Sequence, residues 1–204
     1  DRTTECINIS GEYNGLIKRI MIHRSVMDYG LASADAAVIA GPLGLDPALI
    51  TSTGLPLETI SNGLRQLVVP LQNNMALRAM QPDLIKLKLL IDRFNVHTVD
   101  IFTLDALEDK ALLYSRHLSP GSGWWEDPGS GAGALSIANY LLRHGVIHPG
   151  ACIMQQGRDL DELCTVHVEI KEEDVATDSA WIGGLAVTSI CRKLSLDEKE
   201  VTIS

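Results

Sequence analysis

Aromatic side chains make up only 4% of the 204 residues, and no apolar run reaches membrane-spanning length. Basic residues are also in deficit, 17 against 26 acidic ones, giving a net charge of −9. With no cluster of Lys or Arg to offset that charge, a polyphosphate backbone would be repelled, so neither nucleic acid nor membrane is an expected partner. The cysteines Cys6, Cys152, Cys164 and Cys191 show no C-x-x-C spacing, and the six histidines are scattered. Zinc coordination and a disulfide framework are therefore not expected, and no metal is assigned. Reduced, mostly buried thiols in a cytoplasmic protein account for the cysteines, and no secretory signal opens the sequence. Nucleotide motifs are missing too. The glycines around residue 130 fall at every second position rather than as G-x-G-x-x-G, no Lys-Ser or Lys-Thr follows them, and Ser130 lacks a G-x-S-x-G frame. No cofactor is implied.

What is present is concentrated between Trp124 and Gly145. Two acids (Glu126, Asp127), a proline (Pro128) and a burst of small residues run into a helix whose apolar Leu135, Ala138, Leu141 and Leu142 recur at helical spacing. Arg143, His144 and Gly145 supply a C-terminal charge and a stop. A helix start leaves backbone N–H groups unpaired, and its dipole favours negative charge. Gly129, Gly131 and Gly133 would let a ligand approach that backbone, with the Ser130 hydroxyl as a further donor. The chemistry suited to this pattern is binding of a small anion, most simply a carboxylate. A tight turn with a cap is the competing explanation, and the adjacent acidic pair favours function over it. Trp124 and Trp125 either wall a pocket or simply pack.

The rest of the chain alternates strands with a few helices. Residues 16–23 read as a strand, and Ser33 as the cap of a helix over 34–40 that stops at Gly41-Pro42. A connection punctuated by Gly44 and Gly54 follows, and the domain boundary is placed there, giving units 1–53 and 54–204. A strand over 66–71 precedes a helical pattern over 74–94, which Pro82 should break near Gln81. Asp83 would cap the second piece, with Leu84, Leu87, Leu90 and Ile91 as its apolar stripe. Strands are expected over 96–104, 111–118, 151–156, 165–170 and 181–192, with a helix over 133–143 and a solvated loop over 171–178. The product is an α+β fold, a mostly antiparallel sheet around a central helix.

Glu126-Asp127-Pro128 followed by Gly129-Ser130-Gly131-Ala132-Gly133-Ala134-Leu135, with a helix ending in His144-Gly145, resembles the signature loop of the phenazine-biosynthesis (PhzF-like) isomerase family. Ile60 to Leu71 resembles the strand opening that family's second domain, Leu77 to Leu84 the helix after it, and Ser115 to Pro120 the strand entering the loop. Gln156-Gly157-Arg158 is similar to its later Gln-Gly element, and Ile182 to Thr188 to its closing strand. Two departures stand out. The loop is two residues shorter than usual between Asp-Pro and Gly-Ser. The family's catalytic glutamate and its Gly-His-Pro/Ala-Thr motif do not occur, and the sequence begins at Asp1, as though the opening of the first domain were missing.

The resemblance implies a diaminopimelate-epimerase-like fold of two similar α+β units, with the active site in the cleft between them. It also implies a cofactor-independent isomerase or epimerase that moves a proton on a small carboxylated metabolite. In that reading the amides of Gly131, Ala132 and Gly133 seat the substrate carboxylate and Ser130 adds a hydrogen bond. Asp127 contacts a polar substituent or assists proton transfer. Glu126 is a surrogate base or, preferentially, a capping residue or a partner of Arg116 or Arg143. Asn62 and Gly63 line the opposing wall or form a turn, the turn being favoured, and Gln156 with Gly157 closes over substrate or is structural. His117 is expected to be structural, and Cys152 and Cys191 lack the Gly-Cys-Gly context of related two-cysteine racemases. A homodimer is a further expectation. The alternative is a non-catalytic relative that keeps only the anion pocket and acts as a binding or dimeric interaction module.

Overall fold

Runs of β-branched and leucine residues such as Leu67-Val68-Val69 and Val99-Asp100-Ile101-Phe102 are buried throughout. Such strands are covered on both faces rather than one. The computed structural model describes residues 8–13, 18–26, 28–31, 35–120, 125–157 and 163–186. In chain order the elements are β1 (Asn8–Tyr13), β2 (Lys18–Ser25), β3 (Asp28–Leu31), α1 (Ala36–Leu43), α2 (Ala48–Thr51), β4 (Glu58–Ser61) and β5 (Arg65–Pro70). Next come α3 (Asn74–Ala79), α4 (Leu84–Phe94), β6 (Thr98–Thr103), β7 (Leu113–Leu118) and β8 (Glu126–Asp127). The series ends with α5 (Gly131–Arg143), β9 (Gly150–Gln156), β10 (Cys164–Ile170), α6 (Glu172–Val175) and β11 (Ser179–Ala186).

The strands form one mixed sheet in the order β1-β2-β11-β10-β9-β7-β6-β5-β4-β3, with β8 paired to β7. Pairing is antiparallel except for β5 with β6 and β7 with β9. Each parallel pair needs a crossover, and helices supply both. The α3–α4 segment carries β5 to β6 on one face of the sheet. The segment with α5 carries β7 to β9 on the other. Strand alternation sorts the side chains accordingly. Leu67, Val69, Val99 and Ile101 join the core beneath α1, α3 and α4, while Val68 and Phe102 join the core around α5. Residues 133–141 of α5 are all buried, and the helix contacts β4, β5, β6, β10 and β11.

The break at Pro82 is present, and Asp83 caps α4 by accepting the Ile85 and Lys86 amides, both at 3.1 Å. Of the expected stripe, Leu87, Leu90 and Ile91 are buried, but Leu84 is exposed because it opens the helix before the face turns inward. Ser33 lies outside the described residues. The cap bond of α1 is made by Asp35, and the helix runs through Pro42 to end at Gly44 in the left-handed region (φ 69°). Helix α5 begins at Gly131, two residues earlier than expected, since glycine is tolerated in a first turn that Ser130 caps. Residues 171–178 are not merely a solvated loop. They hold α6, whose buried Asp174 accepts the Lys171 amide at 3.0 Å and lies 2.8 Å from His23 Nε2. The last expected strand ends at Ala186, residues 187–192 being outside the described set. Among the described residues no helix is long and apolar enough to cross a membrane, and no group of three or more His, Cys, Asp or Glu is placed to hold a metal.

Candidate active site

Ser130 stands in extended conformation before α5, and its Oγ accepts the Gly133 amide at 3.1 Å. Gln156, from the end of β9, brackets the Ser130 backbone: Oε1 accepts its N–H at 2.6 Å and Nε2 donates to its carbonyl at 3.1 Å. From the β4–β5 turn, Asn62 Nδ2 donates to the Ala132 carbonyl at 2.8 Å and to Ser136 Oγ at 3.1 Å. The first turn of α5 is thus pinned from two sides by buried amide side chains. Two of its own amides remain. The N–H groups of Gly131 and Ala132 make no hydrogen bond among the described residues, and both residues line a cavity.

That cavity has a volume of about 590 Å³, within the range of small-molecule sites. Its other walls come from β2, β10 and β11. Ile22, Leu135, Ile182 and Leu185 make much of it apolar, and Arg24 is the charged side chain among its described lining residues. Cys164 also faces it. Burial, and then the neighbouring Asp127, push that thiol above its ordinary value, so it is held protonated. Gly129 belongs to the same wall, because a Cβ there would lie 2.6 Å from Cys164 Sγ.

The acidic pair is divided by strand alternation. In β8, Leu118 stands opposite Glu126 and His117 opposite Asp127. Glu126 therefore turns to the α3–α4 side, where both its oxygens meet Arg116, Nε and Nη2 each at 2.7 Å. Arg116 is 2% exposed and also donates to the carbonyls of Leu77 and Met80 at 3.0 and 3.3 Å. Asp127 turns to the α5 side, where it is half-buried and accepts the amide of Gly129, a residue of the cavity wall, at 3.0 Å.

Beneath the head of α5 lies a pair that sequence reasoning missed in part. Asp100 on β6 and His117 on β7 are hydrogen-bonded through Oδ1 and Nδ1, both side chains buried. Burial works against charge on His117, but the Asp100 carboxylate by its field and its hydrogen bond, with Asp127 adding to it, raises the imidazole above its ordinary value. Asp100 carried one signal, an acid between Val99 and Ile101 in an otherwise apolar strand. Arg24, Cys164 and Thr165 on the cavity wall carried none.

Of the other expected site residues, Gly63 makes the β4–β5 turn (φ 102°) and lies away from the cavity, while Asn62 both begins that turn and lines the wall. Gln156 is 1% exposed and braces Ser130 from below rather than covering the opening. The Gly157 carbonyl accepts the Tyr114 hydroxyl at 2.6 Å. The Gly133 amide is taken by Ser130. Trp125 is exposed and outside the lining, whereas Trp124, Arg158, Cys6 and Cys191 lie outside the described residues. Cys152 is a partly buried thiol on β9, pushed up by burial to about 11.

A family profile described as phenazine biosynthesis-like protein (PhzC-PhzF) matches residues 23–192. The uncharacterized isomerase YfhB of Bacillus subtilis is 28% identical over 119 residues, 58% of this chain and 41% of its own length. The uncharacterized isomerase YddE of Escherichia coli is 26% identical over 138 residues, 66% of this chain and 46% of its own. The chain thus spans less than half the length of these curated relatives. Among solved structures, a predicted epimerase from Pseudomonas aeruginosa superposes with a TM-score of 0.73 at 20% identity, covering 95% of this chain and 65% of that one. A PhzF-family phenazine biosynthesis protein from Bacillus anthracis gives 0.69 at 20% identity, covering 89% and 61%.

Proposed function

The chain belongs to the PhzC-PhzF phenazine biosynthesis-like family, and from that membership we propose an isomerase that moves a proton on a small carboxylated metabolite without a cofactor. The observation that carries the proposal is the pair of amides, Gly131 and Ala132, that have no partner among the described residues and belong to residues lining the cavity. Aligned donors at a helix head suit a carboxylate, and the dipole alone contributes about 0.3–2 kcal/mol. The apolar remainder of the wall suits a small organic body. Asp127, hydrogen-bonded to Gly129 of the cavity wall, is the acid–base group of this reading, and such a group is worth roughly 10²–10⁴-fold in rate. Ser130 and Gln156 hold the seat in shape, and Glu126 is structural.

The same proposal takes residues 54–204 as the second unit of a diaminopimelate-epimerase-like fold, with the sheet around α5, and residues 1–53 as the remainder of the first. A homodimer in the cytoplasm completes it. Among the described residues lining the cavity there is no Asp or Glu. That absence favours a second reading, a relative that binds carboxylates without turning them over.

Two experiments separate the readings. Small amino and hydroxy acids should raise the melting temperature of the wild type. Gly131→Pro should abolish that rise without unfolding the chain, because proline at the first helical position removes one amide where no intrahelical bond is lost. If no acid shifts the melting temperature, the seat is wrong. Solvent deuterium wash-in to the same acids reports proton transfer. Wash-in lost in Asp127→Asn but kept in Glu126→Gln is the expected pattern, and binding without wash-in in the wild type selects the second reading.

A further inference from the structure

Asp100 stands opposite His117 in the β6–β7 register, and His117 opposite Asp127 in the β7–β8 register. Directly opposed residues of antiparallel strands project to the same face, with Cβ atoms about 4.5–5.5 Å apart. The three side chains therefore form one row on the α5 face of the sheet. Burial falls along it, from Asp100 at 1% exposure through His117 at 6% to half-buried Asp127. The inner end is locked by the Asp100–His117 hydrogen bond, and the outer end accepts the amide of Gly129 and acts on Cys164, two residues of the cavity wall.

We propose that His117, braced by Asp100, is a positioning residue that holds the Asp127 carboxylate at the mouth of the cavity. The inference rests on the reading of Asp127 as the proton-transfer group. A buried acid–base pair is an expensive way to fill space between Val68, Phe102 and the head of α5, where apolar side chains of similar volume would pack at lower cost. Room for it has been made: a Cβ at Gly133 would lie 2.8 Å from Asp100 Oδ1 and 2.9 Å from His117 Nδ1. Among the described residues the charged surroundings of His117 are few. Asp100 faces it from β6 and Asp127 from β8, while α5 presents uncharged Gly133. Along the row beyond Asp100 comes Val68 and then Glu58, which is paired with His144, and Cys164 lies past Asp127. Arg116 and Glu126 belong to the opposite face. Among the described residues His117 is flanked by a carboxylate on either side, and the half-buried Asp127 is the one whose oxygens the imidazole can orient.

The first test needs no substrate. The His117 imidazole is titrated by NMR in the wild type, in Asp127→Asn and in Asp100→Asn. A charge row requires the midpoint to fall in both variants, and Asp127 is exposed enough for its variant to fold should Asp100→Asn fail. A midpoint unmoved by Asp127→Asn overturns the proposal whatever the activity. The second test uses wash-in kinetics on a turned-over acid. His117→Gln should lower kcat roughly 10- to 100-fold through misplacement of the reacting group, with KM within about twofold because the amide seat is untouched. An unchanged kcat overturns the positioning role. If the wild type shows no wash-in while the midpoint still moves, the proposed reaction fails and the row stands.

Discussion

Gly133→Ala should destabilise the protein, although the same exchange in a helix ordinarily does the reverse. Alanine is favoured over glycine in a helix by up to about 1 kcal/mol. Against that, the new Cβ would sit 2.8 Å from Asp100 Oδ1 and 2.9 Å from His117 Nδ1, distances that require something to move. Neither group can retreat, since both are buried and bonded to each other. Forcing a methyl into such packing costs about 1–3 kcal/mol, and separating a buried ion pair about 3–5 kcal/mol. After the helix gain, the net loss is about 0–2 kcal/mol if the packing alone gives way and about 2–4 kcal/mol if the pair separates. Gly131→Ala is the control, because its Cβ would meet only Ile182 Cγ2 at 3.6 Å, an ordinary contact. Urea unfolding of both variants under one set of conditions measures the difference. A Gly133→Ala protein as stable as Gly131→Ala would refute the placement of the buried pair against the helix.

Glu126→Gln should cost about 3–5 kcal/mol, because it strips the carboxylate from a guanidinium that is 2% exposed. Its carboxylate-induced rise in melting temperature should be unchanged. Stability preserved with wash-in lost would instead make Glu126 the base. His117 has a raised value, so the stability it contributes is complete below about 6.5 and is lost as pH rises through its folded midpoint. His117→Gln should therefore flatten the alkaline decline in a urea-midpoint profile. Asp174 has the opposite sign: burial opposes its charge, but bonds from the Lys171 amide, His23 and Ser179 hold it below the ordinary carboxylate value of 3.8. Its contribution is present above that value and lost as pH falls below it, so Asp174→Asn should weaken the protein near neutrality and remove part of the acid limb.

Signals confined to a few neighbouring residues were readable. Pro82 broke the helix, Asp83 capped its second half, and Val166, Val168 and Ile170 alternate inward as their spacing requires. What the chain order could not disclose was register. Asn62 looked like a turn residue and is one, but its amide reaches a helix 70 positions later. Gln156 was recognisable by its Gly neighbour, yet whether it lies above or below the helix head depends on where β9 sits beside β7. Glu126 and Asp127 are adjacent and chemically alike, and a strand of two residues sends one to each face of the sheet. Periodicity cannot be read from two positions, so their roles were open until the pairing with β7 was known.

The glycines at every second position illustrate the same point in its sharpest form. Read along the chain, Gly129, Gly131 and Gly133 look like one device for bringing a ligand to a helix head. In space each is small for a different neighbour. Gly129 admits the Cys164 sulfur, Gly131 opens to the cavity, and Gly133 leaves room for Asp100 and His117. The amide of Gly133 is already taken by Ser130, so the proposed seat consists of Gly131 and Ala132 alone. The spacing that suggested access to a ligand thus also accommodates the charges beside it, and substitution at each glycine should fail in its own way: a blocked thiol contact, a narrowed cavity, or a displaced ion pair.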